Sequence, residues 1–197
     1  MIDSYPGAGD SGEWTRLQIS DSNFGLVLDT GSAGCGYDSV EYSTTGYTGW
    51  VHILGIYSQS EEKIKLYLDG VNVANDTVGT CGTLDLTQDF SLGMRADDHT
   101  LEEYDGSLDE VAVFSRALTQ SEIDEIYNSD VGKRVDELSF YNASETVYYN
   151  DLDVLKDQSD NGYDLESLYQ PQQNPEGVPG IIDQWDLTAT SFNGVND

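Results

Sequence analysis

Asp157, Asp160, Asn161 and Asp164 put oxygen-bearing side chains within one short stretch, and Asp97, Asp98 and Asp105 form a second such group. Hard cations gather about six to eight oxygen ligands, often from loops. These two groups are the candidates for calcium, the one cofactor the residues suggest. With 37 acids in the chain, such clusters also arise from composition alone, and a solvated acidic surface is the competing reading. His52 and His99 are the only histidines. His52 lies in an apolar run and reads as a packed core residue rather than a base. His99 follows Asp97-Asp98 and reads as a loop residue, with a metal role as the alternative. No Ser-His-Asp set, Gly-rich phosphate loop or zinc spacing of Cys and His is present. Carbohydrate binding would need exposed aromatic rings with amide and carboxylate partners. Trp14, Tyr37, Tyr42 and Tyr47 are the ligand-binding candidates, against the plainer role of Tyr as a strand surface filler. Asn75-Asp76-Thr77 and Asn142-Ala143-Ser144 are glycan acceptor triplets that matter if the chain is exported.

The elements that must hold these residues are mostly strands. Trp14–Ile19 and Phe24–Leu28 read as a hairpin around Asp21-Ser22-Asn23. Residues 30–48 suit a loop and one edge strand. Gly49–Tyr57 reads as a strand buried on both faces. Lys63–Leu68 is a further strand with charge on one side. Asp69-Gly70 is a two-residue hairpin turn, after which Val71–Ala74 return. Leu108, Val111 and Val113 alternate as one half-buried strand. Thr119 stands three residues before Glu122, the spacing of a capping box. Ile123, Ile126 and Tyr127 then give one apolar helical face. The Asp109-Glu110 pair is expected to anchor this corner near Arg116 by a charge-assisted bond.

The charge limits the partners. Eight Lys and Arg against 37 Asp and Glu give a net charge of −29, and the acids are spread along the chain. A phosphate-binding surface needs clustered cations, so nucleic acid is excluded as a partner, and anionic membranes are disfavoured. No apolar run approaches the length of a spanning helix, so no membrane insertion is expected. The opening residues, MIDSYPGAGDSG, do not read as a secretion signal. The signal was removed, export occurs within a larger assembly, or there is none. Self-repulsion of this size opposes a compact fold unless it is screened. At about 1 M salt the Debye length falls to about 3 Å, and the repulsion largely vanishes. The distributed acidity resembles proteins of extreme halophiles or their viruses; a calcium-rich extracellular setting is the alternative. Cys35 and Cys81, the only cysteines, lie in Gly-rich surroundings and are either one disulfide or two small buried thiols.

Residues 104–128, YDGSLDEVAVFSRALTQSEIDEIYN, closely resemble the signature that closes a laminin-G-like, concanavalin A-like jelly-roll domain. The matching positions run from Gly106, Leu108, Asp109, Glu110 and Val111 through Val113, Phe114, Arg116, Ala117, Leu118, Thr119, Glu122 and Ile123. A second matching block holds Trp50, His52, Tyr57, Lys65, Tyr67, Asp69, Gly70 and Val73, and Leu92-Gly93 follows. The resemblance implies an all-β fold, a two-sheet antiparallel jelly-roll sandwich, with one short helix near 120–128. It covers 14–130 as the back two-thirds of such a domain. The family's opening words appear instead at 156–165, KDQSDNGYDL, and at 192–197, FNGVND. Residues 1–133 are therefore expected to close one domain. Residues 134–197 are expected to resemble the opening of one, packing back on the body or on a neighbouring copy. A piece of a tandem array and a permuted single sandwich are the two ways to arrive there. Glu122-Ile123-Asp124-Glu125-Ile126 resembles the carboxylate strand of laminarinase-type glucanases, in which alternate carboxylates supply nucleophile and acid. Position 127 is Tyr, so the last Glu of that pattern is missing, and a capped helix would point Glu122 and Asp124 apart.

The function implied is a non-catalytic extracellular or virion-surface module for adhesion, glycan recognition or structural decoration in high salt. Its partners would be glycans, cell-surface or virion proteins, or further copies of itself. An accessory module of a secreted polysaccharide-degrading enzyme and a purely architectural subunit are the alternatives, because such folds do not fix function.

Overall fold

The computed structural model describes residues 2–4, 14–20, 22–29, 37–78, 90–93, 104–127, 133–142, 145–150, 172–174 and 189–193. Contacts divide the chain into two units, Met1–Tyr104 and Asp105–Asp197.

The first unit carries β1 (Ile2–Ser4), β2 (Trp14–Ile19), β3 (Asn23–Asp29) and β4 (Tyr37–Ser43). It continues with β5 (Ile53–Ser58), β6 (Lys63–Leu68), β7 (Val71–Thr77) and β8 (Phe90–Leu92). One sheet has the order β4-β3-β2-β1-β8 and the other β5-β6-β7, with antiparallel pairing throughout. Strand periodicity of two decides what goes inside. Phe24, Leu26 and Leu28 of β3 share a face with Val40 of β4, and they pack with Ile64, Leu66 and Leu68 of β6 and with Val78. Gly55 lets β5 come close to the opposite sheet. A Cβ there would lie 2.8 Å from Leu26 Cδ1 and 3.2 Å from Leu17 Cδ1. The Asp69-Gly70 turn holds φ of 49° and 76°, the left-handed pair that a tight two-residue hairpin needs.

Two sequence expectations change here. The strand expected at Gly49–Tyr57 begins only at Ile53, and most of it is half-buried. The reason is its place: among the described strands β5 is an edge of its sheet, and the central strand β6 takes the deep burial. Trp50 is 40% exposed rather than buried.

The second unit starts with β9 (Asp105–Leu108) and β10 (Val111–Phe114), followed by α1 (Gln120–Tyr127). The one strand expected at Leu108–Val113 is thus two. Glu110 sits at φ 50° and donates its N–H to Asp109 Oδ1, which breaks the ladder there. Among the described residues β9 and β10 do not pair with each other. β10 pairs with β11 (Thr146–Asn150), and β9 pairs with β13 (Ala189–Asn193), which also pairs with β12 (Gln172–Asn174). A 3-10 turn spans Val135–Glu137.

The capping box forms as expected. Glu122 N–H donates to Thr119 Oγ1 at 3.4 Å, and Thr119 N–H donates to Glu122 Oε2 at 2.7 Å. Ile123 and Ile126 are the buried face of α1. Arg116 does not pair with Asp109 or Glu110, a correction to the expected anchor. It donates to both Glu122 oxygens at 3.0 and 2.7 Å and, through Nε, to Glu145 Oε2 at 2.7 Å. Its guanidinium lies 5.7 Å from the centre of the Phe140 ring. The helix start brings Glu122 under Arg116, and the residue before β11 brings Glu145, whose carbonyl accepts from Ser115 N–H at 2.8 Å. Arg116 is 32% exposed, so the clamp is worth less than a buried one. Arg116→Met is expected to lower the unfolding free energy by about 1–2 kcal/mol. Denaturant melts in molar sodium chloride check this. Arg116→Lys is expected to recover little, because one ammonium lacks the planar fork that spans two carboxylates.

Candidate functional site

In the first unit, the end of β4, residues 44–52 and the β6–β7 turn converge on an exposed aromatic surface. Ser43 Oγ donates to Thr45 Oγ1 at 2.9 Å, and Thr44 N–H donates to the Ser22 carbonyl at 2.8 Å. The connection then turns at Gly46 and Gly49, with φ of 93° and 82°. Between them Tyr47 folds back. Its ring meets Phe24 edge-on at 5.4 Å and Tyr42 edge-on at 6.4 Å. Edge-to-face geometry sets the positive rim of one ring on the negative face of the next. Phe24 belongs to the core, so Tyr47 ties the surface pair to the interior.

The chain past Trp50 is pinned to the hairpin turn. His52 N–H donates to Asp69 Oδ1 at 3.0 Å, and Asp69 N–H donates to the His52 carbonyl at 2.9 Å. Burial raises the Tyr47 hydroxyl pKa first, and Tyr42 and Asp69 add to it, so the phenol stays protonated and able to donate. Glu41, next to Tyr42 in β4, turns to the other face of the sheet, where its Oε2 accepts from Asn23 Nδ2 at 3.1 Å. Tyr42 and Trp50 are each 40% exposed, and Val71 beyond the turn is exposed as well. Ring faces, a phenol, threonine hydroxyls and the Asp69 carboxylate are the groups that stack on and hydrogen-bond to a polyhydroxylated ligand.

The expected ligand residues divide into two sets. Tyr42 and Tyr47 come together as described. Tyr37 stands at the other end of β4, opposite Asp29, which in turn is opposite Trp14 in the β2–β3 ladder. Tyr37 is exposed, and Trp14 is placed here by its backbone register alone. The residue types alone do not single out Trp50, exposed three residues past Tyr47, or Asp69, which holds the chain at His52. The glycines bracketing Tyr47-Thr48 were the available signal.

Of the metal candidates, Asp97, Asp98, Asp157, Asp160, Asn161 and Asp164 lie outside the described residues. Asp105 opens β9 opposite Asn193. Among the described residues no three His, Cys, Asp or Glu side chains gather as a metal ion would require. Cys35, Cys81 and His99 also lie outside the described residues. Asn75 is exposed on β7, and Asn142 is exposed before β11. Glu122 and Asp124 lie on α1, not on a strand, and both Glu122 oxygens bind Arg116. That clamp and the cap hold the Glu122 pKa down at about 2, with Arg116 as the largest cause. Glu125 is held at about 2 by Ser139 and Lys133. His52 is half-buried as a residue, but its Nδ1 has no solvent access, and burial lowers its pKa to about 4.

Residues 2–124 match the family model of the concanavalin A-like lectin/glucanases superfamily, of laminin-G type. The chain belongs to that superfamily. The match reaches from β1 into α1 and includes every residue of the aromatic surface. Antiparallel sheets with one short helix are what a member of this lectin/glucanase superfamily presents. The chain is also similar to an S-layer domain-containing protein from Clostridium thermocellum, known from a 2.1 Å crystal structure. That alignment has 22% identity and a TM-score of 0.33, and covers 64% of this chain and 60% of that one. No curated protein matches the chain. No helix among the described residues is long and apolar enough to cross a membrane.

Proposed function

We propose that this superfamily member is a non-catalytic binding module of an extracellular or virion surface, and that it recognises glycans through Tyr42, Tyr47 and Trp50. The observation that carries the reading is the Tyr47 ring, packed between the core Phe24 and the exposed Tyr42. A rigid aromatic anchored from below loses little conformational freedom on binding. The non-catalytic part rests on Glu122. The carboxylate that a glucanase reading would employ serves as a helix cap and an Arg116 partner, away from any paired acid on a strand. The Asp69 carboxylate, within a chain of net charge −29, favours neutral or amino sugars over uronates. The same charge suits a high-salt medium, in which stacking and hydrogen bonding outlast long-range attraction.

A glycan array probed in molar sodium chloride tests this. Binding to a restricted set of neutral or amino glycans is expected, with no reducing-sugar release from β-glucans. A blank array would favour a purely architectural subunit, and sugar release would favour the enzyme reading.

A further inference from the structure

The acceptor triplet Asn75-Asp76-Thr77 lies wholly within β7, which ends the β5-β6-β7 sheet among the described strands. Strand periodicity of two sets Asn75 and Thr77 on one face. They stand opposite Lys65 and Lys63 of β6, on the side away from the core residues Ile64 and Leu66. All three residues of the triplet are exposed. The Asn75 side chain is also held in one orientation. Asn72 Nδ2 donates to the Leu66 carbonyl at 3.3 Å and to the Ala74 carbonyl at 3.2 Å, where the β6–β7 register shifts. That fixes Asn72 Oδ1, which accepts from Asn75 Nδ2 at 3.2 Å. A carboxamide nitrogen carries two hydrogens. Asn72 takes one, so the other can be replaced without breaking that bond. Asp76 turns its Oδ1 to the Thr77 N–H at 2.7 Å, which ties its carboxylate to the backbone. Of the second triplet, Asn142-Ala143-Ser144, only Asn142 is among the described residues.

We propose that Asn75 is the attachment point of an N-linked oligosaccharide. The donor is a lipid-phosphate-linked oligosaccharide, met by the chain on export together with its transferase. The bond from Asn75 Nδ2 to the sugar's anomeric carbon forms as that carbon's bond to the phosphate oxygen breaks. The lipid phosphate leaves with the electron pair, and one Nδ2 proton passes to a base of the transferase. The remaining N–H stays on Asn72 Oδ1, so the sugar projects from the outer face of β7. Thr77 supplies the hydroxyl that the triplet requires at its third position. Asn75 is about 16 Å along the strand from Gly70, so the root of the sugar lies well away from the hairpin turn at the aromatic surface. Bulk on β7 opposes the pairing of a further strand with its edge. The inference rests on export of the chain, as the proposed function does, and not on glycan recognition.

Mass spectrometry of the chain made by its own host tests it. After reduction, cleavage at Lys65 and Arg95 releases residues 66–95, which hold Asn75 and no other acceptor triplet. That peptide is expected to exceed its sequence mass by a whole number of sugar residues, with fragmentation placing the addition on Asn75. Thr77→Ala is expected to lose the addition and Thr77→Ser to keep it. A peptide of bare mass from the exported chain, or sugar that persists on Asn75 in the Thr77→Ala variant, overturns the proposal. The glycan array reads the recognition separately. Array binding by a chain with bare Asn75 overturns this inference alone, and a blank array with sugar on Asn75 overturns the recognition alone. A chain found only inside its host, with Asn75 bare, overturns both.

Discussion

Leu66→Ala is expected to lower the unfolding free energy by about 3–4 kcal/mol, the largest effect of any substitution argued for this protein. Leu66 has no exposed surface, and it stands at the middle of β6, flanked by Ile64 and Leu68 on the same face. Across from it are Leu26 and its neighbours on β3. Truncation removes the transfer energy of the lost carbons and leaves a cavity that two hydrogen-bonded sheets cannot close. Leu66→Met keeps most of the volume and is expected to cost less than about 1.5 kcal/mol. Denaturant unfolding in molar sodium chloride measures both. Equal effects of the two variants would mean that the sheets do not enclose this position.

Acidification is expected to remove roughly 3 kcal/mol through His52 alone. Its folded pKa of about 4 lies below the usual 6.5 because burial disfavours the imidazolium. Above pH 6.5 both folded and unfolded forms are neutral, and the stability is fully present. Between 6.5 and 4 the unfolded chain binds a proton that the folded chain refuses, so stability falls with pH. Below 4 the folded form protonates too, and the loss stops growing. Glu122, held at about 2, acts in a lower window, from about 4.5 down to 2. Its contribution is present above that range and lost as pH falls through it. Glu125, also held at about 2, acts in the same lower window, so unfolding free energies from pH 7 to 5 report on His52 ahead of both carboxylates. His52→Gln is expected to remove most of the slope over that range. An unchanged slope would place the effect elsewhere.

Local sequence carried much of this fold because its signals are short-range. The Asp69-Gly70 turn needs two left-handed residues, and the pair is favoured for that conformation. The Thr119-Glu122 box is complete within four residues. The alternation of Ile64, Leu66 and Leu68 gives the buried face of β6 directly. What stayed hidden was long-range. Nothing near Arg116 signals that Glu145 will complete its clamp, and nothing in β9 or β10 says that they pair with residues from past 140 rather than with each other. The exposure of Trp50 is hidden from the sequence for a related reason. An apolar run reads the same in a central strand and in an edge strand, and only sheet order separates them. The candidate surface was half legible. Tyr42 and Tyr47 stand out by residue type, but their separation from Tyr37 follows from where β4 ends and the chain turns back.

Titration calorimetry in molar sodium chloride with the strongest array ligand measures what the aromatic end of the first unit contributes to binding. Trp50→Ala and Tyr42→Ala are each expected to weaken binding about tenfold, or 1.4 kcal/mol, with Tyr37→Ala leaving the affinity unchanged. Loss of affinity on Tyr37→Ala, with full binding by the Trp50 and Tyr42 variants, would contradict the account.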